Sequence, residues 1–259
     1  MKKVALALAA HPDDIEFVMA GTLLLLGKQG YELHYMNLST GNCGSTVYNS
    51  EQTATIRLKE AQEAARILGA EFHPPICNDF EILYSKELLR SVAEVVRKVR
   101  PTVVLTHSPL DYMEDHMNTS RLAVTACFIR GIANYPTDNP PGDNYNCALY
   151  HAMPHGLCGP LGEEIRPSIF INTSSVHTRK MEALRAHQSQ QEWLESSQRM
   201  NSYLLAMDNF SFELGQMSGQ FPHAEGWRRH FHLGFSDENY NPLAELGADY
   251  LENVTVNAG

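Results

Sequence analysis

The stretch Val4-Ala5-Leu6-Ala7-Leu8-Ala9-Ala10-His11-Pro12-Asp13-Asp14 decides how this chain is read. Its first part is a short apolar run without alternation, the pattern of a parallel strand covered on both faces. Its second part packs two carboxylates and an imidazole into four residues, at the point where a strand should pass into a helix. That helix is expected from about Ile15 to Gln29, with Asp13 or Asp14 near its N-terminus, where carboxylates are favoured. Met1-Lys2-Lys3 mimics the start of a secretory leader, but the apolar run behind it is at the short end for one. The motif follows at once, so residues 2–10 are read as a buried first strand of a cytoplasmic protein.

Working outward, the pattern repeats. Gly30 closes the helix, and Tyr31 to Leu38 reads as the second strand. A Gly/Asn/Ser loop covers Ser39 to Ser50, and Glu51 to Leu68 carries helical periodicity ending at Gly69. A weak strand at Phe72 to Ile76 and a helix at Lys86 to Val99 follow. Pro101 then introduces the strand Thr102 to Thr106, the polar loop His107 to Asp115 and a helix from Met117 to Ile132. Such alternation implies parallel βαβ units, an α/β sheet that binds ligands beyond the carboxyl ends of its strands. Residues 134–146 form a surface loop, Cys147 to Met153 and Ser168 to Ile171 resemble later strands, Val176 to about Met217 is helix-rich, and the tail is polar. With no repeat, low-complexity tract or linker, residues 1–259 are read as a single domain.

The composition excludes several classes. No run approaches the roughly 18 apolar residues of a membrane span. A net charge of −10 argues against a nucleic-acid partner, which would need a basic face. The cysteines, at 43, 77, 127, 147 and 158, are odd in number and lack Cys-x-x-Cys spacing, so neither a disulfide framework nor a thiolate zinc site is expected. Association into a homo-oligomer is compatible with the sequence and not specified by it.

A catalytic zinc takes three nitrogen or oxygen ligands and keeps one position open. His11 and Asp14, three apart on a strand-to-helix turn, can converge on one point and leave Asp13 free. A third ligand should come from the end of another strand, where Asp111-Tyr112-Met113-Glu114-Asp115-His116 offers His116. Asp13 could then take a proton from a water that the metal acidifies. Neither His-Glu-x-x-His nor Gly-x-Ser-x-Gly is present.

These residues resemble the PIG-L/LmbE family of metal-dependent N-deacetylases. The resemblance rests on Ala10 to Glu16, Ser39-Thr40-Gly41-Asn42-Cys43-Gly44, Arg57-x-x-Glu60 and Asp115-His116, and further on Lys180 through His187-x-Ser189-Gln190 and His223-Ala224-Glu225-Gly226-Trp227. It runs to about residue 235. It implies a Rossmann-like, mostly parallel sheet with helices on both faces and hydrolysis of an N-acetyl group from an N-acetylglucosamine-type small molecule. It also implies His11, Asp14 and His116 as ligands of zinc or another first-row divalent ion, with Asp13 as the base. Arg57 would contact substrate, the loop holding Thr40 and Gly41 would line the sugar pocket, and Asp115 would orient an imidazole. On its own spacing Arg57 would instead join Lys59, Glu60 and Glu63 on a solvated helix face.

One position departs from the family. Its second motif commonly reads His-Pro-Asp-His, and here Met113 stands at the first histidine. Methionine can neither stabilise an oxyanion nor protonate an amine, so a replacement imidazole is expected, His223 first and His155 second. Competing readings are a hydrolase of another amide or ester, and a catalytically impaired sugar- or metal-binding protein. A nucleotide-dependent oxidoreductase fits less, because Thr40 to Gly44 does not match Gly-x-Gly-x-x-Gly. His107 ends a strand and could join the pocket, while Trp193, Trp227 and Phe231 read as core or interface, and His187 as a structural hydrogen bonder.

Overall fold

The computed structural model describes residues 2–141, 143–197 and 203–253. Its centre is β1 (Val4–Ala9), wholly buried. Ala5, Ala7 and Ala9 pack into one apolar layer and Leu6, Leu8 and Ala10 into the other, as the period-two geometry of a strand requires. Small alanines on one face admit α2 (Ala20–Lys28) and α3 (Ser50–Leu68) close to the sheet. Against the opposite layer lie α4 (Lys86–Val99) and α5 (Glu114–Phe128).

Parallel pairing joins β1 to β2 (Glu32–Asn37) and β4 (Val103–Thr106), β2 to β3 (Glu71–His73), and β4 to β5 (Ala148–Ala152). Beyond β5 the sheet turns antiparallel through β7 (Ala224–Arg229), β6 (Ile169–Asn172) and β8 (Tyr250–Glu252). The order is β3-β2-β1-β4-β5-β7-β6-β8. The α/β reading with helices on both faces therefore holds, with an antiparallel edge that the sequence pattern did not announce. Two strands, β7 and β8, lie in what read as polar tail.

Two helices differ from expectation. The first is broken at Met19 (φ −132) into α1 (Asp14–Val18) and α2. The break frees the N-terminus of α2, whose Gly21 and Thr22 amides donate to the Glu225 carboxylate at 2.8 and 2.7 Å. Lys180, in α6 (His177–Arg185), donates to the same carboxylate at 2.8 Å, and neither side chain is more than 2% exposed. Gly21 is required there, since a Cβ would lie 2.4 Å from Thr173 Cγ2. α5 begins three residues earlier than expected, so His116 sits in its first turn. The helix-rich segment divides into α6, α7 (Gln188–Ser197) and α8 (Tyr203–Ser218), with residues 198–202 outside the described ones. None of the described helices is long and apolar enough to cross a membrane.

Among the described residues, Glu225 is thus both a helix cap and the one carboxylate partner of the buried Lys180 ammonium. Glu225→Ala would strand Lys180 in the core, and a buried charge stripped of its partner costs about 3–5 kcal/mol. A corresponding fall in the urea midpoint is expected, and an unchanged midpoint would remove this pair from the stabilising contacts.

Candidate active site

The turn after β1 separates its two carboxylates by backbone geometry. Asp13 adopts φ 107, ψ −25, a left-handed conformation that side chains with a Cβ rarely take. Asp14 then folds back, its Oδ2 accepting from the His11 amide at 2.7 Å. Asn37 Nδ2 donates to the His11 carbonyl at 2.6 Å, which ties the turn to the end of β2.

Three ligating groups meet there. His11 Nδ1 lies 3.3 Å from Asp14 Oδ2, and His116 Nε2 lies 3.4 Å from Asp14 Oδ1. One ligand atom from each of the three falls within 4.8 Å of the others. The outward nitrogens are held as well. Asp115 Oδ2 accepts from His11 Nε2 at 3.0 Å, and Asp111 Oδ1 accepts from His116 Nδ1 at 3.1 Å. A carboxylate behind each imidazole fixes its tautomer and ring, leaving the inner lone pair for an ion.

A second combination, His107, Asp111 and His116, also brings ligand atoms together. It fits less well, because His107 Nε2 already accepts the Ala10 amide at 3.0 Å and Asp111 is engaged with His116. The His107 ring stacks on His116 with centroids 4.1 Å apart, a wall for the ligand. Burial lowers its pKa.

The electrostatics suit a cation. Burial opposes charge on His11, yet Asp115 and Asp14 outweigh it and raise its pKa to about 9. For His116 burial again opposes, and Asp14 and Asp111 raise it to about 10. Burial would push Asp14 upward, but His116 and His107 hold it well below the usual carboxylate range. Asp13 moves the other way. Burial raises it to about 6, against the pull of Arg57. Its Oδ2 accepts from the Tyr203 hydroxyl, and Arg57 Nη2 stands 3.4 Å from its Oδ1.

A cavity of about 490 Å³ opens over these groups. His11, Asp13, Asp14, Arg57, His116 and His155 all border it, with Met113 beside them. Other expectations need correcting. Thr40 and Gly41 are not among the lining residues; Thr40 Oγ1 bonds Asn42 and Asn78, and Gly41 lies under Arg57, whose bulk leaves no room for a Cβ. The same loop reaches the cavity through Cys43 and Gly44. Arg57 is buried rather than solvated, and its guanidinium donates to the carbonyls of Pro12 and Gly41, bracing the turn from behind. His223 lies elsewhere, beside Asp208 and His177, so the first choice for a replacement imidazole is outside the lining.

Sequence reading missed Tyr203, which reaches Asp13 across 190 residues, and Asp111, which stood five positions before His116 in the quoted motif. Trp193, read as core or interface, borders the cavity, as does Tyr112.

Comparison with known proteins places this geometry. Residues 6–127 match the family model described as PIG-L, GlcNAc-PI de-N-acetylase. Diacetylchitobiose deacetylase of Thermococcus kodakarensis is 30% identical over 197 residues, 73% of this chain and 70% of that protein. The chain belongs to the PIG-L family. A 4-oxalmesaconate hydratase of Pseudomonas putida is 31% identical over 204 residues, covering 75% of this chain and 76% of that one. Among solved structures, N,N'-diacetylchitobiose deacetylase from Pyrococcus horikoshii superposes with a TM-score of 0.72 at 25% identity, over 93% of this PIG-L chain and 88% of its own.

Proposed function

We propose that this PIG-L family chain is a zinc-dependent hydrolase that removes the N-acetyl group of an N-acetylglucosamine-type substrate. The observation that carries the reading is the division of labour at the turn: Asp14 faces the two imidazoles while Asp13, on inverted backbone, faces Tyr203 and Arg57. His11, Asp14 and His116 would hold the ion, a His₂Asp donor set that suits zinc and also admits other first-row divalent ions. When bound, such an ion supplies Lewis acidity that polarises the acyl carbonyl and acidifies a water.

The chain's own residues do the rest. Asp13, with a pKa near 6, is tuned to accept the water's proton near neutral pH and return it to the departing amine. Tyr203 and Arg57 hold its carboxylate in place. Where the family carries histidine, Met113 offers no donor, and we assign that task to His155, which borders the cavity and is braced between Phe17 and Phe210. His155→Ala is expected to lower kcat by roughly 10²-fold, the usual worth of one oxyanion donor. Equal kcat in the variant would leave Asp13 acting alone.

The walls speak to the substrate. Asp13, Asp14, Asp79 and Asp111 border the cavity, and Arg57 is the only lysine or arginine among its described lining residues. Arg57 is already committed to two carbonyls and Asp13. An anionic aglycone would meet repulsion there, whereas Tyr112, Trp193 and Phe80 offer faces suited to a neutral sugar.

A second reading has its own observation. The hydratase relative together with Met113 favours addition of water to a double bond, a reaction with no amine to protonate. Arg57, already committed, being the one lysine or arginine among the described lining residues weighs against an unsaturated polycarboxylate. Acetate release from neutral N-acetylglucosamine conjugates, assayed beside hydration of such a polycarboxylate, separates the two. Hydration without acetate release would overturn the deacetylase reading. We read residues 1–259 as one domain, supported by the single sheet that runs from β3 to β8, and the location as cytoplasmic.

A further inference from the structure

Ligating side chains also converge away from the cavity, where α6, α8 and the approach to β7 meet. His177 opens α6, Asp208 lies in α8, and His223 immediately precedes β7. A single oxygen, Asp208 Oδ1, faces His177 Nε2 at 2.7 Å and His223 Nε2 at 3.3 Å. The two rings stack with centroids 4.1 Å apart and 24° between planes, and both Nε2 atoms face that oxygen. The three ligand atoms lie within 4.8 Å of one another.

We infer that His177, Asp208 and His223 form a second, peripheral site for a divalent transition-metal ion. Two imidazoles and one carboxylate make a borderline donor set that suits Zn²⁺, Ni²⁺ or Cu²⁺ and disfavours Mg²⁺ and Ca²⁺, which take oxygen ligands. The side chains are 15%, 39% and 26% exposed in that order, open enough for an ion to enter and for water to complete its coordination. The frame is fixed on the His223 side. Its carbonyl accepts from Thr173 N at 3.0 Å, and its amide donates to Ser174 Oγ at 3.3 Å, which anchors the ligand to the end of β6. None of the three residues borders the cavity. An ion bound there would clamp α8 to α6 and to the sheet. That helix also carries Tyr203, bonded to Asp13, and Phe210, packed on His155.

The test is a titration of the full chain, stripped of metal, with Zn²⁺ alone, following stoichiometry by calorimetry and by metal counting after dialysis. The wild type should take up a second ion beyond the one at His11, Asp14 and His116. The double variant His177→Ala/His223→Ala should lose that second ion while keeping the one at His11, Asp14 and His116. His116→Ala should lose the cavity ion and keep the peripheral one. Asp208→Asn preserves shape and hydrogen bonding, and should weaken the peripheral site by more than the roughly tenfold that even an outer-shell partner is worth. This last variant decides the matter if circular dichroism shows the double variant unfolded. Identical Zn²⁺ isotherms for wild type and Asp208→Asn, or a wild type that binds only the ion lost in His116→Ala, would overturn the inference. Neither outcome depends on the identity of the acylated substrate.

Discussion

His116→Ala is expected to leave a folded protein that has lost most of its cavity ion and, with it, measurable hydrolysis. His116 is the proposed ligand contributed from outside the β1 turn. Removing it leaves His11 and Asp14, neighbours on one short loop, to hold a divalent ion alone. Loss of a partner behind a ligand already costs 10- to 100-fold in metal affinity, so loss of the ligand itself should cost at least that much. The fold should survive, since the ring sits at the first turn of α5 and the helix has its own core contacts through Leu122, Ala123 and Ala126. Metal content and acetate release should fall together. Full occupancy in the purified variant would remove His116 from the centre and favour a set built without it.

Asp13→Asn should separate ion binding from chemistry. Its oxygens face Tyr203 and Arg57, so the amide should keep the turn and the ion. The proton acceptor is gone, however, and a general base is worth on the order of 10²–10⁴-fold in turnover. The expected signature is a collapse of kcat with metal content unchanged. An Asp13→Asn protein that arrives without metal would exchange the roles of Asp13 and Asp14, and one with parental kcat would end the proposed mechanism.

The first half of the fold was legible because its strands are either continuous apolar runs or separated by well-marked helices. Asn49 and Gln52 close a capping box at the start of α3, and Gly69, where the periodicity stopped, ends it in the left-handed conformation. The second half hid for a physical reason. β7 reads Ala-Glu-Gly-Trp-Arg-Arg, and its buried glutamate is tolerated only because two helix amides and a lysine, all distant in sequence, meet it. No local pattern can report such partners. The site divides the same way. His11, Asp14 and His116 converge as their motifs suggested, because each follows a strand of one sheet. Tyr203 carried no local signal, and Arg57 misled on its own spacing because the loop that covers it is tertiary structure. His223 was placed near the cavity by the motif around it, but Glu225, two residues on, is the member of that segment turned inward, toward α2.

The Glu225 contact also sets an order of events as the chain emerges during synthesis. The amides it caps lie 204 and 203 residues upstream, and β7 separates β5 from β6 in the sheet. Residues 6–127, the part that carries the family's signature, therefore cannot complete their own helix packing when first exposed. The start of α2 goes without its Glu225 cap, and Lys180 joins it unpaired once made, until β7 leaves the ribosome. Such long-range closure slows folding and prolongs exposure of apolar strand edges. The turn bearing Asp13 and Asp14, which leads directly into α1 and α2, should then be among the last regions to become protected from solvent exchange, although it is among the first to be made.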